Sequence, residues 1–191
     1  MTRVLIGATF ILGLLCTVAT AAPLKLKPAS PQPSSVRSGL NVTYGYSETK
    51  FKMLSRGKQI ISANPQRGKP LRGLDYREKE FGENNLTATQ PWYFAAKIKG
   101  YYRFDAPGVY DIEMYTNDGI DARIGGQRVG HISGITSGCE TTVVAQVEAP
   151  SAGWYDLDIL YFQNAGTSCL MMKAGPTGQK RSWVPNSAFG R

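Results

Sequence analysis

Asn117-Asp118-Gly119 is the stretch whose residue types could do chemistry. It offers an amide oxygen, a carboxylate and a glycine in succession, suited to a tight loop with positive φ and several oxygens aimed inward. Hard oxygens of this kind are what a calcium ion gathers, six or more at a time. The alternative is a loop whose side chains merely bond their own backbone. Other candidates are sparse. His131 is the one histidine, and beside Gly130 it reads as a loop residue. No GxSxG, P-loop or HExxH run occurs. Asp156 and Asp158 share one face of an alternating segment, where they read as surface charge rather than an acid–base pair. The chain reads as a non-enzyme.

The loop has to be positioned by what flanks it. Phe94, Ala96, Ile98, Gly100, Tyr102 and Phe104 fall on one face of a period-two pattern, with Lys97, Lys99, Tyr101 and Arg103 on the other. Ala106-Pro107-Gly108 makes a turn, and alternation resumes with Tyr110, Ile112 and Met114. This hairpin runs directly into Asn117. An opening strand is expected from Leu40 to Tyr46, and Thr141 to Val147 alternates with Val143, Ala145 and Val147 on one side. Trp154 to Phe162 carries Tyr155, Leu157, Ile159 and Tyr161 on one face. A polar loop, residues 163–168, follows it, and Cys169 to Lys173 is the last core strand. Asn64-Pro65, Arg67-Gly68 and Pro70 forbid long regular structure, while Leu71 to Phe81 suits either a short helix or a strand. Short strands with turns between them and no helical periodicity predict an all-β fold, an antiparallel β-sandwich or barrel.

The first 21 residues have a positively charged start, an apolar run from Val4 to Val18 and a small-x-small site at Ala19-Thr20-Ala21. That is the pattern of a secretory signal peptide, cut after Ala21. Residues 22–38, rich in proline and serine, read as a semi-extended tether, and 39–191 as the folded domain. Export leaves Cys139 and Cys169 as an even pair, which implies a disulfide, the alternative being two buried free thiols. The chain is basic, with a formal net charge of +8. Residues 50–79 hold nine Lys and Arg against two acids, Lys50, Lys52, Arg56 and Lys58 foremost. Such an excess attracts polyanions, which outside the cell are anionic lipid or acidic polysaccharide rather than nucleic acid. The alternative is a solvated loop with no dedicated partner. Asn41-Val42-Thr43 and Asn85-Leu86-Thr87 are formal glycosylation sequons.

The order of these elements carries a resemblance. The pattern GxYxxxxxxNDGI from Gly108, followed by Ile124-Gly125-Gly126, resembles the centre of the PA-fourteen domain, named after the anthrax protective antigen. That family's core is close to G-x-Y-x-F-x-x-x-s-D-D-G-x-x-L-x-I-D-G. A similar G-x-Y-x-L-x-I-x-Y stands at Gly153 to Tyr161, and Trp183-Val184-Pro185 is similar to a closing element of many members. The resemblance implies a β-sandwich. In sugar-binding members such as yeast adhesins, an aspartate pair in this loop holds a calcium ion that also takes two sugar hydroxyls, and a later asparagine completes the site. Carried over, the metal and ligand set is Asn117, Asp118 and Asn164, with one acid replaced by an amide. Trp92, Tyr93 and Tyr101 could stack on sugar rings. If the strands before Asn117 and before Asn164 run in the same sense, as the resemblance implies, the two loops emerge at one edge. The expectation is a secreted or envelope-bound carbohydrate-binding module, possible calcium included, whose partner is a glycan or cell-surface polysaccharide. The alternative is a structural module docking to an envelope protein or anionic surface through its basic segment. Asp118→Ala would then abolish binding and leave the fold intact.

Overall fold

The computed structural model describes residues 22–191; the expected signal peptide, residues 1–21, lies outside them. In chain order come β1 (Leu24–Lys25), β2 (Asn41–Tyr46), helix α1 (Leu54–Ala63), β3 (Gln66–Arg67) and β4 (Asp75–Lys79). The two halves of the central hairpin are β5 (Phe94–Phe104) and β6 (Gly108–Asn117). Then follow β7 (Ile120–Ile124), β8 (Gln127–Ile132), β9 (Glu140–Thr141) and β10 (Ala145–Ala149). The chain closes with β11 (Gly153–Gln163), β12 (Ser168–Pro176), β13 (Ser182–Trp183) and β14 (Phe189–Gly190).

Two sheets face each other. One has the order β1-β10-β6-β12-β13, with β4 also on β12 and β9 also on β6. The other has the order β3-β2-β5-β11-β7-β8, with β14 also on β5. Every pairing is antiparallel except that of β1 with β10. The expected sandwich is therefore the observed fold, and its alternation explains the core. Ile98, Tyr155, Leu157, Ile159 and Tyr161 point inward from the second sheet, meeting Ile112, Met114, Leu170 and Met172 from the first. Phe104, Tyr102 and Tyr155 pack edge to face within it.

Several expectations need correction. Residues 22–38 are not a free tether. Leu26 and Ala29 are buried, and the backbone of Leu26, Lys27 and Ala29 donates to Glu148, Gly125 and Trp154 carbonyls. Their apolar side chains cover core edges and so fix the segment to the sandwich. The strand expected from Thr141 to Val147 is broken. Thr142 turns inward, its Oγ1 accepting the Met114 N–H at 3.2 Å. That shifts the alternation by one and leaves Val143 91% exposed. His131 stands on β8, exposed, rather than in a loop. Asn85 is buried, which removes it as a glycan acceptor in the folded chain. The stretch from Leu71 to Phe81 resolves as a strand, β4.

The largest difference is α1, a helix inside the basic segment. It lies on the outer face of the second sheet, where Leu54 and Ile60 join Phe51, Ala95 and Phe162 in a second small core. Glycines make this contact close. A Cβ on Gly45 of β2 would sit 2.6 Å from Ile61 Cα and 2.8 Å from the Ile60 carbonyl carbon. Gly45→Ala should therefore push the helix off its strand and destabilise the protein by roughly 1–3 kcal/mol, as overpacking does. Thermal melting would read this as a lowered midpoint, and an unchanged midpoint would mean that the helix is not held there.

Candidate functional site

The chain changes sheets at Asp118-Gly119. β6 ends at Asn117 in the first sheet, and β7 begins at Ile120 in the second. Between them the Asp118 N–H donates to the Phe162 carbonyl (3.2 Å), and the Phe162 N–H to the Gly119 carbonyl (3.0 Å). The crossing strand is thus welded to the end of β11. The positive φ expected here is not what Gly119 provides. A Cβ on it would meet the Phe162 ring at 2.5 Å and the Ile132 carbonyl oxygen at 2.8 Å, so glycine is needed for close approach. Positive φ is found instead at Gly125 and Gly126, in the turn from β7 to β8.

Because β6 and β11 both finish at this end, Asn117, Asp118 and Asn164 meet. The Asp118 carboxylate is buried and acts as a hub for two loops. Oδ1 accepts the Thr136 N–H at 3.0 Å, and Oδ2 accepts the Asn164 N–H at 2.7 Å. Asn117 ties the same loops together. Its Nδ2 donates to the Thr167 carbonyl (2.7 Å), and its Oδ1 accepts the Thr136 hydroxyl (3.1 Å). Below them Tyr161 donates its hydroxyl proton between the Asn117 carbonyl and Gln163 Oε1. Burial pushes the Asp118 carboxyl above the usual carboxylate range, and the N–H donors around it only partly offset it. Burial also drives the Tyr161 hydroxyl far upward, helped by the Asp118 charge. Asn164 Oδ1 is buried without a hydrogen-bond partner, an acceptor in want of a donor.

The bridge between Cys139 and Cys169 adjoins this hub. Its Cα atoms are 5.9 Å apart, within the range a disulfide requires. The two cysteines are not on neighbouring strands, as antiparallel pairing alone would have it. β9 and β12 flank β6 on opposite sides, with Thr116 opposite Glu140 and Asn117 opposite Cys169. The bond therefore closes over the end of β6 and ties down the loop carrying Thr136.

The donor set can be tested against calcium. The ion needs many oxygens and gains affinity with their charge. Here one carboxylate is present, both of its oxygens already receive N–H groups, and the Asn117 oxygen is taken by Thr136. The hydrogens directed at Asp118 carry positive partial charge where a cation would sit. Asp121 does not compensate, since both its oxygens go to Arg128 at 2.9 Å on the outer sheet face. Among the described residues no group of three or more His, Cys, Asp or Glu could hold a metal ion. As arranged, these residues do not fit calcium; they form a hydrogen-bonded junction.

The basic segment is divided between the sheets. Arg77 pairs with Asp75 and lies over Trp183 on the first sheet, while Lys79 pairs with Glu83. On the second, Arg56 bonds Gln59, and Lys50 and Lys52 are exposed ahead of α1. Of the expected polyanion set, Lys58 lines a cleft. This cavity of about 480 Å³ lies between α1 and the sheet, and its lining includes Lys58, Lys97, Asp121, Arg123, Asp158 and Leu160. Asp158 is paired with Lys97 there, which accounts for it as outer-face charge. Sequence reasoning missed Thr136 as a partner of Asp118; nothing in its neighbourhood marks it.

No protein-family model matches the sequence, nor does any curated protein. Solved structures do. The PA14 domain of the MpAFP antifreeze protein superposes with a TM-score of 0.68 at 14% identity, covering 83% of this chain and 93% of that one. A PA14 sugar-binding domain from an RTX adhesin gives 0.64 at 18% identity, covering 80% and 98%. The epithelial adhesin 6 A domain of Candida glabrata, in complex with Galβ1-3GlcNAc, gives 0.66 at 11%, covering 88% and 93%. The chain has the fold of the PA14, or PA-fourteen, domains.

Proposed function

We propose that this chain is an exported, non-enzymatic carbohydrate-binding module acting at the cell envelope or in the extracellular space. The observation that carries the reading is the meeting of three segments, around Asn117-Asp118, Thr136 and Asn164, at one end of the sandwich. Asn164 Oδ1 is left there with no donor. A sugar hydroxyl is such a donor. Two of the structures that share this fold are named as sugar-binding or hold a disaccharide, which supports the same class of ligand. Export is supported by the disulfide and by the signal-like first residues. In this reading Asp118 holds the loops in shape, and Asn164, whose Oδ1 is buried, turns outward to take the sugar hydroxyl. Calcium assistance would require the loops to surrender the N–H bonds to Asp118.

A second reading, attachment to an anionic surface, rests on the cleft beside α1. Lys58 has no acidic partner within 4 Å among the described residues, while Arg123 shares Asp121 (3.7 Å) with Arg128 (2.9 Å). The cleft lining thus holds three cations against two carboxylates, a small excess open to an anion. One experiment separates the readings: a glycan array run with calcium, with chelator and at raised salt. Retention of particular neutral glycans that survives both chelator and salt supports the first. Loss with chelator would return calcium to the site. Retention only of acidic glycans, collapsing with salt, supports the second.

A further inference from the structure

Residues 80–93 link β4 to β5 and run beside the loop that carries Asn164. The Tyr93 N–H donates to the Asn164 carbonyl at 3.1 Å, and Trp92 Nε1–H donates to the Gly166 carbonyl at 3.2 Å. The indole is thereby fixed in orientation against the candidate site. At the other end of the link a turn closes from the Glu83 N–H to the Glu80 carbonyl (3.1 Å), with Gly82 at φ +84°. In such a turn the residue before the glycine is held outward. That residue is Phe81, 71% exposed, its ring 4.8 Å from the Trp92 ring and inclined to it by 54°. Two non-glycine residues of the link, Leu86 and Tyr93, take left-handed φ of 54° and 55°. Such backbone is costly and persists only where surrounding contacts impose it. The Asn85 Oδ1 bond to the Leu86 N–H and the Tyr93 bond to Asn164 supply them.

The corner is therefore built, aromatic and open to water. Its neighbours carry charge: Glu80 and Glu83 flank Phe81 in the turn, Lys79 pairs with Glu83 at 3.9 Å, and Glu78 Oε1 accepts the Thr167 hydroxyl at 2.9 Å. Aromatic faces beside hydrogen-bond acceptors suit a pyranose, which presents C–H groups on one face and hydroxyls at its rim. The two carboxylates without a cationic partner among the described residues, Glu78 and Glu80, disfavour a sugar that is itself an anion. Resting on the carbohydrate reading above, we propose that Phe81 and Trp92 form a stacking subsite for a neutral sugar ring adjoining the Asn164 loop. Tyr93 does not share this role, since its ring packs with the small core under α1. Tyr101 lies on the outer sheet face near Trp154.

The test is a nitrogen-15 NMR titration with lactose, Galβ1-3GlcNAc and α-mannobiose, and with digalacturonic acid as the charged counterpart. At least one neutral disaccharide should move the Trp92 indole signal and the Asn164 amide while the Trp154 and Trp183 indoles stay still. Phe81→Ala should weaken that binding at least about fivefold with an unchanged melting midpoint, as expected for an exposed ring in a stacking contact. Phe81→Trp should retain it. If a neutral disaccharide moves Asn164 but not Trp92, and Phe81→Ala binds as before, the subsite is overturned and the carbohydrate reading stands. Digalacturonic acid moving Trp92 as strongly as the neutral sugars would overturn the charge argument. Silence at every resonance with all four probes would sink the carbohydrate reading and the subsite with it.

Discussion

Asp118→Ala is expected to lower the thermal unfolding midpoint by roughly 10 °C, and not to leave the fold untouched as a loop carboxylate would. Asp118 is 2% exposed, and its carboxylate accepts N–H groups from Thr136 and Asn164. Alanine leaves these donors unpaired in a buried place, at about 1–3 kcal/mol each where water does not replace the acceptor. With partial rehydration the total is about 2–4 kcal/mol, and at roughly 2–4 °C per kcal/mol for a chain of this size the shift follows. Asp118→Asn keeps one acceptor and should lose about half as much. The pH dependence has a definite sign. Burial raises the folded carboxyl above its ordinary value. The protonated form is thus favoured in the fold, and this contribution is fully present below the unfolded pKa. It is lost as pH rises through the folded value. Melts of the native chain and of Asp118→Asn across the acid range should show the native chain gaining relative stability as pH falls through that window. A midpoint unchanged in Asp118→Ala would mean that the hub does not hold the loops.

The same residue shows what the sequence could and could not tell. Period-two alternation in residues 94–104, 110–114 and 155–161 was enough to expect the sandwich, because one buried face per strand leaves a pattern that needs no partner to read. That Asn117 and Asn164 come together was an implication of the family resemblance rather than of the alternation, and the two do lie at one end of the sandwich. The hub was not. Thr136 reaches Asp118 from a loop, and a backbone N–H donor leaves no trace in side-chain type. Helix α1 was hidden for a different reason. It has ten residues, a glycine in its middle and no side-chain cap, so charge outweighs the apolar spacing of Leu54, Ile60 and Ile61. Its partner is a sheet face with room made by Gly45, which is a tertiary property. The Leu24-Lys25-Leu26 alternation was a signal, but the surrounding prolines and serines masked it.

Removing the disulfide, by Cys139→Ser with Cys169→Ser, is expected to cost the fold and the site together. The bridge closes a sequence separation of 30 residues, worth about 3–4 kcal/mol on the chain-entropy account. At roughly 2–4 °C per kcal/mol the midpoint should again fall by about 10 °C. The more telling expectation is coupling with Asp118. Cys139 ends the loop that begins after β8, and that loop supplies the Thr136 N–H to Asp118 and the Thr136 hydroxyl to Asn117. Cys169 is the register partner of Asn117 itself. With the bridge gone, the loop can leave, and part of what Asp118 holds is already lost. The two changes should therefore be less than additive. The double-cysteine variant carrying Asp118→Ala should be less destabilised than the sum of the separate effects, by about 1 kcal/mol or more, as contacting groups in one network commonly show. Denaturant unfolding of all four proteins gives the cycle directly. Strict additivity would mean that the bridge and the Asp118 hub hold separate pieces of the chain.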